Sequence, residues 1–232
     1  MSIAAPHRCL GIAAVCLALA ACVSVPAQRE RYGRFLQPAA DPGTVAATDL
    51  RMARMARGGD VVGALEAYAA SDAIVFVPGP AAASDYLAGA PAFPPTDWQV
   101  HRVMSSCDGS LALSHGAITW GDVSGRYYTI WRRDARGDGA YRWVLSDGDG
   151  LDQPLENNDA MVATQVASCD AVPASAKVAA TDPRYGGRAA SADNSLRYEW
   201  WARDDGSRQI IVEIWNGTNY DAVFTQAIGP GS

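Results

Sequence analysis

The feature that most constrains the fold is a succession of alternating apolar and polar residues in the middle of the chain. Alternation with a period of two is typical of β-strands that have one buried face. A glycine-containing link at 134–140 joins the last two of these segments and predicts a hairpin. Successive strands of this kind form an antiparallel sheet. The segments are Trp98–Met104, Leu111–Trp120, Gly125–Arg133 and Tyr141–Asp147.

The residues before these strands predict helices. A first helix is expected to start at a cap formed by Thr44 or Thr48 and to end at Gly58-Gly59, and Asp60 caps a second helix. A short apolar run at 71–78 predicts a buried strand. A further short helix over 81–90, capped by Ser84, would follow that strand. The predicted fold class is therefore α+β: a cone-shaped, bent antiparallel sheet packed on N-terminal helices.

A separate set of elements is expected over residues 151–232. The apolar spacing predicts a helix over 158–168, and three short strands over 196–203, 208–215 and 219–225. An Asn-Gly turn signal lies between the last two strands. This extension is thus predicted to be a helix plus a three-strand β-meander.

The first 21 residues have the pattern of an export signal. Arg8 precedes an apolar run that ends Leu19-Ala20-Ala21-Cys22, and the run is too short to span a membrane. That string resembles the lipobox of bacterial lipoproteins, which implies that Cys22 is lipidated, for example with palmitate, and becomes the N-terminus. An ordinary cleaved signal is the alternative. Residues 22–43 then form a tether, and the lipid holds the protein on the membrane of the bacterial cell envelope.

Two further cysteines remain in the mature chain. Cys107 and Cys169 are about 60 residues apart, and an oxidising compartment favours a disulfide between them that stabilises the fold by about 3–4 kcal/mol. Two separate buried thiols are the alternative.

The charge excludes one class of partner. The net charge is −6, and the sequence contains no basic cluster. Because nucleic-acid binding depends on neutralising phosphates, a nucleic-acid partner is not expected.

Several segments between residues 49 and 149 follow one another in a characteristic order: a helical start that ends Gly59-Asp60, then 70–79, 108–112, 125–133 and 139–148. In this order they resemble the nuclear transport factor 2-like (NTF2-like) superfamily, which includes ketosteroid isomerase and SnoaL-like polyketide cyclase relatives. The resemblance is greatest to uncharacterised exported members of the superfamily. It implies a cone domain over 44–150 with an apolar pocket at its mouth, and relatives that are enzymes, scaffolds or binding modules. It also implies that a homodimer can form through the outer face of the sheet, and resemblance to enteric lipoproteins implies the periplasmic face of the outer membrane.

His115 is the candidate catalytic residue. By strand alternation it shares a face with Leu111 and Leu113, and this face is expected to line the cone interior. There it could act as a general base or be a structural histidine with a hydrogen-bond partner. Ser114 points to the opposite face, so the two residues cannot form a nucleophile–base pair.

The pocket candidates are mostly aromatic. Packing in the core explains most of the set, and a subset is expected at the pocket mouth. Trp131 and Trp143 are expected to pair across the hairpin. The candidates are His101, Trp98, Trp120, Tyr128 and Trp131.

No motif predicts a cofactor or a metal. His101 and His115 lack a ligand spacing, and the acidic run that starts at Asp147 lacks the glycine and glutamate of a calcium loop. Two hypotheses follow: a membrane-anchored binding module for a small apolar ligand or a protein, or an isomerase, cyclase or hydratase with His115 as its base.

Overall fold

The structure is a computed structural model that describes residues 40–134, 137–155, 161–174 and 185–230. Cys22 and the predicted signal lie outside these residues. No helix in the described ranges is long and apolar enough to cross a membrane.

In the part of the chain that the structure describes, three helices precede or interrupt the first strands: α1 (Pro42–Arg57), α2 (Val61–Tyr68) and α3 (Ala83–Ala88). Helix α1 begins two residues before the earlier of the predicted caps, because the Asp41 carboxylate accepts hydrogen bonds from the Thr44 amide at 3.1 Å and hydroxyl at 2.6 Å. Asp60 caps α2 as predicted, accepting a hydrogen bond from the Gly63 amide at 2.9 Å. Ser84 lies inside α3 and does not cap it.

Seven strands form the first sheet, in the order β2-β1-β6-β5-β4-β3-β7. The sheet is mixed rather than purely antiparallel, because β1 pairs with β6 and β3 pairs with β7 in parallel. The strands are β1 (Ala69–Phe76), β2 (Pro80–Ala82), β3 (Thr96–Ser105), β4 (Leu111–Trp120), β5 (Val123–Arg133), β6 (Tyr141–Gly150) and β7 (Ala163–Val166).

Strand β7 corrects the prediction of a helix over 158–168. Its residues are exposed at the edge of the sheet and pair with β3. Residues 158–160 of the predicted helix lie outside the described ranges. Spacing alone misleads here because four residues of exposed edge strand carry no apolar alternation.

Four strands form a second sheet in the order β11-β10-β9-β8. The three predicted C-terminal strands are present, and an additional strand precedes them. The strands are β8 (Gly186–Ala190), β9 (Leu196–Ala202), β10 (Arg208–Trp215) and β11 (Tyr220–Ile228).

The first sheet separates two hydrophobic cores. The face toward the helices holds Met52, Trp131 and Trp143, whereas the other face packs Leu113 and Ile130 against the second sheet. The outer face, through which the family resemblance suggested dimerisation, is therefore covered by residues of the same chain. The described chain is layered as helices, first sheet and second sheet.

A bulge in β3 changes which residues face each core. The register shifts between Val100 and Arg102, so that His101 has no partner of its own in β4. A bulge residue shifts the alternation by one position. Trp98 and Val103 therefore face the helices together, while Met104 faces the second sheet, which corrects the predicted alternation along this strand.

Two turns of similar sequence join the sheets. Residues 106–111 read Ser-Cys-Asp-Gly-Ser-Leu and residues 191–196 read Ser-Ala-Asp-Asn-Ser-Leu. We call them the paired turns. Asp108 and Asp193 each donate their amide hydrogen to the other's carboxylate, at 2.9 and 3.0 Å. The two turns therefore contact each other symmetrically, as two identical surfaces do across a two-fold axis in an isologous interface.

The same contacts recur within each turn. The fourth residue has a positive φ, 66° at Gly109 and 64° at Asn194. A tyrosine from a later strand donates its hydroxyl to the carbonyl of that residue, Tyr141 at 2.6 Å and Tyr220 at 2.7 Å. The second sheet thus repeats, on a smaller scale, the turn-and-tyrosine arrangement of β3–β6.

Candidate ligand-binding cavity

A cavity of about 450 Å³ lies between the helices and the first sheet. Its wall is mainly apolar and aromatic, and its size falls in the range typical of small-molecule sites. The predicted apolar hollow is therefore present. Residues that form its wall include Met52, Leu65, Val75, Tyr86, Leu87, Phe93, Trp98, Ile118, Trp120 and Tyr127.

Trp98 and Trp120, two of the pocket candidates, line the cavity. Trp120 reaches this wall because residue 125 on the neighbouring strand is glycine. A Cβ atom at Gly125 would lie 2.6 Å from the Trp120 ring and 2.4 Å from the Asp149 carbonyl oxygen. The close approach of ring and backbone therefore requires glycine at this position.

His115 does not face the cavity, and this corrects the prediction that it lines the cone interior. It shares its face with Leu111 and Leu113 as expected, but that face packs against the second sheet. Its ring lies 4.9 Å from the ring of Phe224 on β11. Burial, assisted by the nearby charges of Arg102 and His101, lowers the pKa of His115 to about 4.

Tyr128, Trp131 and His101 also do not line the cavity. The Tyr128 hydroxyl lies 3.4 Å from Asp147 in the layer between the sheets. Trp131 is completely buried in the helix-side core and pairs with Trp143 in the strand register, as predicted. His101 occupies the bulge, and burial lowers its pKa.

A buried polar cluster behind the cavity wall connects α1 to three strands. The Asp49 carboxylate is completely buried and accepts hydrogen bonds from the Trp98 indole at 2.7 Å, the Ser114 hydroxyl at 2.5 Å and the Tyr127 hydroxyl at 3.0 Å. Ser114 in turn accepts a hydrogen bond from the Trp131 indole at 2.8 Å. Burial raises the pKa of Asp49, and the three donors oppose that rise.

One end of the cavity is polar. Thr129 and Ser146 face each other across β5 and β6 with their hydroxyl oxygens 3.0 Å apart. Beyond them the cavity meets Asp147 and Arg208, which form a bidentate ion pair between the two sheets at 2.7 and 2.9 Å. Burial raises the pKa of Asp147, although the Arg208 guanidinium opposes the rise. The two-pronged geometry is that of an ionised pair.

The sequence interpretation missed Asp49 and Arg208, although each has a signal. Asp49 lies on the side of α1 that also carries Val45, Met52 and Ala56. Arg208 occupies an alternating position of β10 whose other members are isoleucine and valine. A charged residue within an apolar stripe indicates a buried charge with a partner.

Cys107 and Cys169 form the predicted disulfide, and their sequence separation is 62. Cys107 belongs to one of the paired turns, and its amide donates to the Ser195 hydroxyl of the other turn at 2.8 Å. The disulfide therefore fixes the segment leading to the second sheet at the point where the sheets meet.

The cavity wall carries little acid–base chemistry. Within the described ranges, Asp147 is the only carboxylate that lines it, and no histidine does. The described residues also contain no group of three or more histidine, cysteine or acidic side chains placed to hold a metal ion.

No protein-family model matches the sequence, and the search of curated proteins finds no relative. Solved structures resemble about half of the chain. A protein of unknown function of the DUF3225 family from Pectobacterium atrosepticum shares 15% identity over 47% of this chain and 90% of that one, with a TM-score of 0.37. A cystatin-like fold protein from Burkholderia xenovorans shares 16% identity over 48% and 92%, with a TM-score of 0.38.

A candidate ketosteroid isomerase from Kribbella flavida shares 17% identity over 52% of this chain and 88% of its own length, with a TM-score of 0.34. Similarities this distant give no information about the substrate or ligand of this protein. A layer of helices on one face of a mixed sheet is the arrangement that the sequence resemblance implies for the cone domain. A second sheet of the same chain covers the other face of that cone.

Proposed function

We propose that the protein binds a small, predominantly apolar molecule in the cone cavity. The observation that carries this proposal is the aromatic, largely apolar wall around about 450 Å³ of space. An interior of this kind is normally filled by side chains, because empty apolar volume is destabilising. A bound apolar ligand would make the van der Waals contacts that the empty cavity wall lacks.

Binding is favoured over catalysis by the position of the titratable groups. The isomerase-type hypothesis required His115 to face the substrate, and this residue instead packs against Phe224 between the sheets. Asp147, the carboxylate on the cavity wall, is held in the ion pair with Arg208. A general base must reach the proton that it removes, so the geometry offers no support for His115 in this role.

Filling the cavity tests the proposal. Ile118→Trp would replace an aliphatic side chain on the cavity wall with a bulky indole ring. Ile211→Trp would make the same change at a half-buried isoleucine of β10 that lies outside the cavity. We expect titration calorimetry with benzophenone, an uncharged two-ring probe, to show binding to the unaltered protein and to Ile211→Trp, and at least tenfold weaker binding to Ile118→Trp. Equal affinity of both variants would place the probe elsewhere and refute the proposal.

We further propose that Cys22 is acylated and anchors the protein to the bacterial envelope, on the periplasmic face of the outer membrane. The support is the sequence Leu19-Ala20-Ala21-Cys22 after an apolar run, together with the chemistry of two-chain anchoring. Labelling cells with an alkyne analogue of palmitate should mark the protein but not Cys22→Ser. Retention of the label by Cys22→Ser would contradict the proposal.

A further inference from the structure

The polar end of the cavity is built from both sheets. Strand β1 pairs with β6 only as far as Leu145, and the next residues of β6, Ser146 to Gly148, border the cavity. Past this edge the cavity meets Arg208, the first residue of β10. The C-terminal sheet therefore contributes directly to the site, and its contribution sets the polarity of one end.

Arg208 has hydrogen-bonding capacity that its neighbours do not use. Its side chain is only 6% exposed. Nε and Nη2 donate to Asp147, and Nη1 donates to the Gly206 carbonyl at 3.2 Å. A guanidinium carries five N–H bonds, so two of them have no acceptor among the residues that the structure describes. The plane is held in place by Asp147 and by the Phe76 ring, whose centre is 5.6 Å from the guanidinium carbon.

The hydroxyl pair beside Arg208 has similar spare capacity. Thr129 is completely buried, and its hydroxyl shares one hydrogen bond with Ser146. The Ser146 hydroxyl has one hydrogen, which it donates either to the Tyr128 carbonyl oxygen at 3.4 Å or to Thr129 at 3.0 Å. When Ser146 donates to Thr129, the Thr129 hydrogen is free for a ligand. Together these groups can offer hydrogen-bond donors from two directions to an oxygen atom at this end of the cavity.

The charge at this end selects against ions. Asp147 and Arg208 neutralise each other in a site from which water is largely excluded. A ligand carboxylate would be repelled by the negative charge of Asp147. Because Arg208 is already paired, it would not compensate for the free energy of desolvating the ligand carboxylate. A neutral acceptor requires no such compensation.

Building on the proposed function, we infer that the cavity recognises an uncharged ligand whose apolar body fills the aromatic part and whose carbonyl oxygen accepts hydrogen bonds from Arg208 and Thr129. The body of the ligand lies against Trp98 and Trp120, and the oxygen lies at the meeting point of the two sheets. Arg208 is then a specificity residue that only the C-terminal sheet supplies.

Matched probes test this inference separately from apolar binding itself. Benzophenone, diphenylmethane and diphenylacetate share two rings and differ in carrying a carbonyl, no oxygen or a carboxylate. Because a hydrogen bond to a charged donor contributes more than a neutral one, we expect benzophenone to bind the unaltered protein on the order of 10- to 100-fold more tightly than diphenylmethane. Diphenylacetate should bind more weakly than benzophenone.

Two variants identify the donors. Thr129→Val keeps the shape and removes the hydroxyl, and Arg208→Lys keeps the charge beside Asp147 and removes the planar fork. Each should lower the preference for benzophenone over diphenylmethane at least threefold, while the surface controls Thr225→Val and Arg197→Lys leave it unchanged.

The outcomes separate the two proposals. Equal binding of benzophenone and diphenylmethane to the unaltered protein would overturn the inference and leave apolar binding intact, as would tighter binding of diphenylacetate. Binding of none of the three probes would refute the proposed function itself. The preference in the unaltered protein decides the matter even where a variant fails to fold.

Discussion

Asp49 shows how a single buried carboxylate can hold a helix on a sheet. Three donors from β3, β4 and β5 converge on it. We expect Asp49→Ala to lower the free energy of unfolding by about 3–5 kcal/mol, because three buried donors lose their acceptor. Asp49→Asn keeps one acceptor oxygen and should cost less, about 1–2 kcal/mol.

Urea denaturation of the purified domain measures both values. Asp85→Ala, at an exposed position of α3, is the matched control and should change the free energy of unfolding by less than about 0.5 kcal/mol. A loss below about 1 kcal/mol for Asp49→Ala would show that the cluster does not secure the helix.

His115 makes stability depend on pH. Its pKa in the folded protein is about 4, below the ordinary value of 6.5. Between these values the unfolded chain binds a proton that the folded chain excludes, so the stabilisation is complete above pH 6.5 and is lost as the pH falls toward 4. The loss attributable to this residue is up to about 3 kcal/mol.

Replacing His115 isolates its contribution to the pH dependence of the free energy of unfolding. We expect the free energy of unfolding of His115→Gln to fall less than that of the unaltered protein between about pH 7 and pH 4.5. Identical pH profiles for the two proteins would mean that His115 titrates normally and is exposed to water.

For single residues, the sequence predicted which side chains share a face of β4, but it did not predict what that face packs against. Alternation placed His115 with Leu111 and Leu113 and placed Ser114 opposite, and both assignments hold. What alternation cannot tell is which face meets the helices when a second sheet covers the other face. The partner sheet begins at Gly186, 71 positions after His115 in the sequence and beyond any local pattern.

Among the elements, the paired turns organise the junction of the sheets. Their equivalence predicts that the fourth residues can be exchanged, since both Gly109 and Asn194 have a positive φ that glycine and asparagine tolerate. The double variant Gly109→Asn/Asn194→Gly should therefore melt within a few degrees of the unaltered protein. Gly109→Val/Asn194→Val should melt far lower, because β-branched residues rarely adopt this conformation.

A large loss of melting temperature in the exchanged variant, measured by circular dichroism, would argue that the turns are not equivalent.

The helices and central strands were predictable because their caps, glycines and alternation are local signals. The bulge at His101 and strand β7 were not, since a bulge and an edge strand are defined by their partners rather than by their own sequence.

For the whole molecule, the second sheet has two consequences. It covers the outer face of the cone, and through Arg208 it completes the polar end of the cavity. The family resemblance predicted the cone and an apolar hollow, but it does not extend to this sheet. The site could therefore be predicted only in part: its aromatic wall from Trp98 and Trp120, and not its polar end.

The most direct test of the central claim is to observe where a ligand binds. The indole N–H groups of the tryptophans give separate signals in a ¹H–¹⁵N spectrum of labelled protein, and Trp98 and Trp120 line the cavity while Trp201 lies on the second sheet outside it. On titration with benzophenone, we predict that the signals of Trp98 and Trp120 shift and that the Trp201 signal stays in place. Shifts confined to Trp201, or no shift at Trp98 and Trp120 at saturating probe, would contradict a ligand site in the cone.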